Sequence, residues 1–317
     1  MALQTSGAIS LNDIHVEAGG SSGTQVTIND SDVRDLISAS SASEMEFADF
    51  YGASAETVLT SAGTVNGQAQ RQEITVSSFI SSGGTLRIPS SIWVWSNSTS
   101  TPALTIDISC TIINEGKIIG KGGNGGFSSN SSSNRAGKAG GPAIKINSGV
   151  TGVTITNSSG AYIAGGGGGG GSSSWAGGGG GAGGGTSGPH GFNGNRGGAQ
   201  SGGALNAVGS GYGGGAGGAG GYGYGSGSDI GGGGGRQLPG SGGVGARTDT
   251  TLGYGGAGGN AGNNGAQLGD SHWGGGGGGW GASGGSSYGG SGSGGQAIND
   301  SGNSYTLSNS GTIYGGT

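Results

Sequence analysis

Three histidines, His15, His190 and His272, and one cysteine, Cys110, are the side chains of this 317-residue chain best suited to bind a soft metal or to act as nucleophile or base near neutral pH. Their spacing supports neither. No two of them stand at a metal-ligand interval, and Asp270 near His272 is an isolated acid–base pair with no third group beside it. Cys110 lies inside the apolar run LTIDISCTII, which reads as a buried small hydrophobe and not as a reactive thiol. Matches to a GxGxxG phosphate-binding pattern abound, but no strand and helix bracket them, so they carry no information in so glycine-rich a tract. The chain reads as a non-enzyme with no cofactor and no metal. Its chemistry lies instead in aromatic and charged residues set among serine, asparagine and glycine. They fall in the segments 127–135, 172–176, 186–208, 222–230, 236–252, 266–273 and 280–288. Phe127, Trp175, His190, Phe192, Tyr222, Tyr224, Asp229, Arg236, His272, Trp273 and Trp280 are the candidates for contact with a partner. Such a composition suits a binding surface, because rigid aromatics supply contact area at low entropic cost.

Something must hold those turns in place, and it is no ordinary core. With 90 glycines, 9% charged residues and 30% hydrophobic ones, the chain cannot build a two-layer core along its whole length. About nine of the glycines precede residue 116, so a normal front third is followed by a glycine-rich remainder. Charge divides at the same place: residues 1–115 carry 12 acids against 3 bases, and the remainder 4 acids against 8 bases, which sums to the net −5. That mild positive bias is too weak for a nucleic-acid partner. Met1 to Gly20 lacks a basic start followed by an apolar stretch, and no run approaches the length of a membrane span, so neither a signal peptide nor membrane insertion is expected.

The glycine tracts have a period. In GYGGAGGNAGNNGA (253–266), Tyr254, Ala257, Asn260, Asn263 and Ala266 stand three apart. The same spacing recurs at Lys121, Asn124 and Phe127, at Ala136, Ala139 and Pro142, and at Ala216, Ala219 and Tyr222. A polyproline II helix has three residues per turn, so every third side chain points one way. Collagen keeps glycine at one position in three. Here two positions of three are glycine, so two faces must be crowded and one faces water. The bare runs 165–171, 177–181, 231–235 and 274–279 are expected inside such a bundle. Ordering glycine is entropically costly, so the hydrogen bonds between tracts must be nearly complete. A flexible linker is the competing reading, and the period of three argues against it.

The front third is organised differently. GAISLNDIHVEAGG (7–20) alternates apolar and polar residues as a strand does. INDSDVRDLISAS then offers Asn29 or Ser31 as cap to a helix with Val33, Leu36 and Ile37 on one face. Residues 56–115 are rich in Val, Ile, Thr and Trp and read as β structure, with Trp93 and Trp95 on one strand face for packing. A repeat marks the edges of the glycine-rich part: TIINEGKIIGKGG (111–123), TITNSSGAYIAGG (154–166) and YTLSNSGTIYGGT (305–317). Upstream, GPAIKINSG (141–149) parallels GQAINDSG (295–302). The copies are expected to pair at a common base, with the glycine tracts leaving it and returning. If the tracts alternate outward and back, the far turns are 127–135, 172–176, 222–230 and 266–273, while 186–208 and 236–252 face the base. A further rod at 289–295 changes the parity of the later turns.

Two resemblances follow. ISLNDI at 9–14 and FADFYG at 47–52, either side of a helix, resemble the short N-terminal region of tailed-phage fibre and tail-tip proteins, which implies a virion-docking element. The order of glycine tracts and variable turns over 116–317 resembles the tail fibre tip adhesins of T-even-like phages, which implies a polyglycine II sandwich whose turns bind a receptor on the bacterial surface. The expected fold class is mainly β and irregular: a small N-terminal strand–helix docking module (1–55), a β-rich connector (56–115), and short β-strand repeats carrying a bundle of packed polyglycine II helices joined by variable turns (116–317). The resemblance implies a place in the virion at the distal tail fibre or tail tip. The partners it implies are an outer-membrane protein or polysaccharide of the host, and other phage tail or fibre proteins through residues 1–55. An ice-binding polyglycine bundle and a passive glycine-rich structural protein are the alternatives; the long, irregular turns disfavour the first.

Overall fold

The computed structural model describes residues 3–37, 39–40, 43–53, 56–65, 68–127, 134–173, 177–183, 259–267 and 274–317. Within them the chain is mainly β, with few helices.

The front segment departs from expectation. The stretch 7–20, read above as strand-like, instead contains the helix α1 (Leu11–Glu17). The reason is a reciprocal cap: the Asp13 amide donates to Ser10 Oγ at 3.1 Å and the Ser10 amide to the Asp13 carboxylate at 2.9 Å. This capping box satisfies helix-end amides that the alternation of apolar residues does not account for. The next helix, α2 (Ser31–Asp35), starts behind Asp30 and not behind Asn29 or Ser31. Neither expected residue caps it, and Asp30 itself turns back to accept from the Thr27 amide at 2.9 Å. A 3-10 turn at Phe47–Phe50 closes the unit over a core of Ile14, Val33 and Phe50. No strand lies among the described residues 3–53.

From Glu56 the chain winds into a three-sided coil. Its first turn contributes β1 (Glu56–Val58) and a hairpin of β2 (Thr64–Val65) and β3 (Gln68–Gln72). The second is β4 (Ile74–Thr75), β5 (Thr85–Ile88) and β6 (Trp93–Trp95), and the third is β7 (Leu104–Ile106), β8 (Cys110–Asn114) and β9 (Lys117–Ile119). The fourth is β10 (Ile144–Ile146), β11 (Val153–Asn157) and β12 (Tyr162–Ala164), and the fifth is β13 (Ile298–Asn299), β14 (Tyr305–Asn309) and β15 (Thr312–Tyr314). Corresponding strands stack into sheets ordered β1-β5-β8-β11-β14, β13-β10-β7-β4 and β15-β12-β9-β6-β3-β2. All pairs are parallel except β2 with β3. The three repeats thus lie on one another although partners such as Cys110 and Val153 or Val153 and Tyr305 are far apart in sequence, and the expected boundary between 115 and 116 falls inside one continuous coil, between β8 and β9.

Equivalent residues form ladders through the interior. Leu86, Ile112, Ile155 and Leu307 stack in one, and Val94, Ile118, Ile163 and Ile313 in another. The asparagine shared by the repeats forms a third: Asn114 Nδ2 donates to Asn157 Oδ1 and Asn157 Nδ2 to Asn309 Oδ1, both at 2.8 Å. The ladder stops at Asn114 because the residue stacked beyond it is Ile88, which leaves Asn114 Oδ1 buried without a partner. On the outside, Arg87 is held between Glu56 and Glu115. Cys110 faces the core, and burial pushes its thiol pKa up to about 11, consistent with its reading as a hydrophobe.

Glycine tracts leave the coil after β9 and after β12 and return ahead of β10 and β13. Tract 165–172 lies at the centre of the described tracts. Its amides donate in rotation to three neighbours: those of Gly166, Gly169 and Ser172 to the carbonyls of Gly141, Lys138 and Arg135; those of Gly167 and Gly170 to Ala182 and Gly179; those of Gly168 and Gly171 to Ala282 and Gly285. Its carbonyls accept in the same rotation: Gly167 and Gly170 from Gly123 and Gly126, Gly168 and Gly171 from Gly278 and Gly275, and Gly166, Gly169 and Ser172 from Gly295, Gly292 and Gly289. Gly165 completes the set with Tyr314 and Gly281, so every N–H and C=O from 165 to 172 is bonded. Six tract segments therefore surround one, and they bond in turn around a ring: 121–127, 135–141, 289–295, 281–285, 274–279 and 177–183.

This packing explains the composition. At each of Gly165 to Gly171 an added Cβ would stand under 3.0 Å from a carbonyl oxygen of a neighbouring tract, so no side chain is possible at any of them. Tract 121–127 is crowded on fewer sides. Gly123 and Gly126 would meet neighbouring backbone, whereas Asn124 and Phe127 are exposed, which is the two-in-three pattern read from sequence.

Candidate functional site

The tracts have a near end, at the coil, and a far end. Gly120, Gly141, Gly165, Gly183, Gly281 and Gly295 lie at the near end, tied to Ala164, Tyr314 and one another. There the outer face of the third sheet meets the tracts through Trp93, Trp95, Ile119, Ala164, Ala182 and Trp280. Trp280 is fully buried in that seam, at 0% exposure, so its expectation as a receptor-contacting residue is corrected: it joins the tracts to the coil. The bend at Gly281, with φ of 66°, turns the chain inward and seats the indole beneath Gly183. Beside the seam, the Lys117 ammonium sits 4.8 Å from the Trp93 ring centre and 5.6 Å from that of Tyr162, and burial lowers its pKa.

The far end is built on Ser172, the first side chain after the seven-glycine run. Its amide donates to the Arg135 carbonyl at 2.8 Å, its hydroxyl to the Phe127 carbonyl at 2.7 Å, and its own carbonyl accepts from the Gly289 amide at 2.8 Å. One buried serine thus gathers three tract ends. The Phe127 amide bonds the Asn134 carbonyl at 2.8 Å and closes the turn between the first two tracts. What these ends carry is exposed: Phe127 is 38% and Tyr288 65% accessible, the latter the most exposed large apolar side chain among the described residues. The Arg135 guanidinium lies 5.7 Å from the Tyr288 ring centre. Exposed aromatics at these tract ends, one of them against a cation, offer stacking and hydrogen-bonding surface.

Of the candidates read from sequence, Phe127 therefore lies on this face and Trp280 at the opposite end. Trp175, His190, Phe192, Tyr222, Tyr224, Asp229, Arg236, His272 and Trp273 lie outside the described residues. Arg135 and Tyr288 were not singled out, although both fall in segments flagged as turns. The signal for Tyr288 was the rod at 289–295, whose presence makes 286–288 a far turn, and 289–295 is a rod. Two further tracts reach this end: the Gly178 amide bonds the Gly126 carbonyl, and the Gly275 amide bonds the Gly171 carbonyl.

Residues 53–229, more than half of the chain, match the profile of the family described as "Phage tail fibre adhesin Gp38". No curated protein sequence matches the chain. Among solved structures, the chain is similar to one described as the gp37-gp38 adhesin tip complex of the bacteriophage S16 long tail fiber, at 19% identity over 99% of each chain, with a TM-score of 0.47. An exposed aromatic face on a rigid glycine block and a family profile spanning coil and tracts converge: the chain belongs to the Gp38 family of phage tail fibre adhesins, receptor-binding proteins of the virion's distal tail fibre.

Proposed function

We propose that this adhesin works as a polyglycine II sandwich that holds recognition turns rigid against a host receptor, without catalysing a reaction. The observation that carries the proposal is the complete rotation of hydrogen bonds around tract 165–172, with a period of three and no room for a Cβ. A backbone so fixed gives the turns at its far end little conformational entropy to lose on binding, which is how a small aromatic surface gains affinity. Phe127 and Tyr288 anchor the contact. In the same proposal the turns bearing Trp175, Tyr222, Tyr224, Asp229, His272 and Trp273 join them, those bearing His190, Phe192 and Arg236 complete the binding surface, and the receptor is an outer-membrane protein or polysaccharide. Residues 1–55 dock onto other phage tail or fibre proteins, the β coil from 56 serves as base, and the tracts carry the binding face. The small helical unit around Ile14, Val33 and Phe50 supports this division, having its own core.

Adsorption competition tests the reading. Purified intact protein is expected to block phage attachment to susceptible bacteria. A variant with 266–273 replaced by Gly and Ser, and a Phe127→Ser/Tyr288→Ser double variant, are expected to block it at least tenfold less well. Absence of competition by folded, intact protein overturns the proposal.

A further inference from the structure

We infer that the far face recognises an anionic polysaccharide, through a phosphate or carboxylate held by Arg135 and Lys138; this rests on the receptor-binding reading above. Charge on the molecule is polarised. Residues 1–115 hold 12 acids against 3 bases, whereas the described residues of the glycine tracts hold Lys121, Arg135 and Lys138 and no acid at all. Two of these three belong to one tract, spaced by the period of three. Arg135 and Lys138 therefore share a face, about 9 Å apart along the rod at about 3.1 Å of rise per residue. Lys138 is exposed, and Arg135 stands at the rim with Tyr288 packed against it.

The geometry favours an anion on a sugar scaffold. A guanidinium binds phosphate or carboxylate through a planar fork of N–H donors, and an aromatic ring against its face limits its rotamers. Tyr288 and Phe127 expose apolar faces on either side of Arg135's tract end, as stacking partners for the flat faces of sugar rings. The Arg135 backbone is pinned by the Ser172 amide, so the side chain departs from a fixed point.

The test uses the full chain and four immobilised probes: phosphorylated lipopolysaccharide, the same material dephosphorylated, a uronic-acid polysaccharide, and intact susceptible cells. Arg135→Gln and Lys138→Gln leave the tract's backbone bonds intact, and unchanged melting of each confirms the fold. Expected is binding to at least one anionic glycan that falls about tenfold in Arg135→Gln, less in Arg135→Lys, and weakens steadily as salt rises. Loss on dephosphorylation assigns the phosphate; binding to the uronic-acid polymer assigns the carboxylate. If the wild-type protein binds cells but neither salt nor the Arg135→Gln/Lys138→Gln double variant changes that binding, the inference is overturned in favour of a neutral glycan or protein receptor, while the adhesin reading stands. If it binds no cells at all, both fall.

Discussion

Replacing Gly169 with alanine tests the close packing of the tracts most directly. The added methyl would collide with the carbonyl of Asn124 and stand 2.8 Å from the Gly125 nitrogen, where ordinary contact begins at 3.4 Å. Backbone, not a flexible side chain, is what it meets, so tract 121–127 must move off tract 165–172. That movement breaks the Gly123 to Gly167 and Gly126 to Gly170 hydrogen bonds, each 2.8 Å long and buried. Two buried amides without partners cost about 1–3 kcal/mol each, or about 2–6 kcal/mol together. Alanine's stiffening of the unfolded chain offsets about 0.4–1 kcal/mol of this. The expected net loss is about 1–6 kcal/mol, a large part of a typical domain's stability. Gly290→Ala is the control, because nothing lies within 4 Å of a Cβ there and its change should stay within about 0.5 kcal/mol. Denaturant midpoints of the full chain, with hydrogen exchange at the Gly123 and Gly126 amides, separate the two variants. Equal midpoints and equal protection in both would refute the close-packed lattice.

Trp280→Ala should destabilise the protein by about 3–5 kcal/mol, read from thermal unfolding, yet leave cell binding intact below the new melting temperature, since the indole is buried at the near end. Asn157→Ala removes both the acceptor of Asn114 Nδ2 and the donor to Asn309, and should cost about 2–4 kcal/mol in denaturant; the same change at exposed Asn309 should cost clearly less. Lys117 has a folded pKa lowered by burial, so between that value and its ordinary 10.5 the unfolded chain binds more protons and stability rises with pH. Comparing denaturation of wild type and Lys117→Met from about pH 7 to about pH 10 should show this slope in the wild type and its absence in the variant. Cys110, with its thiol at about 11 and facing the core, should resist alkylation at neutral pH until the chain unfolds.

Much of this architecture was legible in residue order. A spacing of three among Lys121, Asn124 and Phe127 matches the crowding at Gly123 and Gly126 beside exposed Asn124 and Phe127, because glycine where neighbouring backbone closes in is a local steric requirement. The recurrent asparagine of the three repeats announced the stack of β8, β11 and β14, since identical turns placed on one another can share identical bonds. Local order misled at residues 9–17, where an alternating pattern and a capping box competed and the cap's hydrogen bonds decided. Other features belong to the tertiary structure alone. Nothing within GGGGGGG says that 165–171 is the centre and the equally buried 177–181 part of the ring around it; that follows from which tracts the coil's register sets beside it, up to 130 residues away at Gly295. The bend at Gly281 turned Trp280 from a surface aromatic into the seam of the molecule. Likewise Phe127, Arg135 and Tyr288 became one face only because three tracts end on Ser172. Periodicity fixes how each rod is crowded, a property of neighbours along the chain, whereas the choice of neighbours across space depends on long-range stacking that no short stretch of residues encodes.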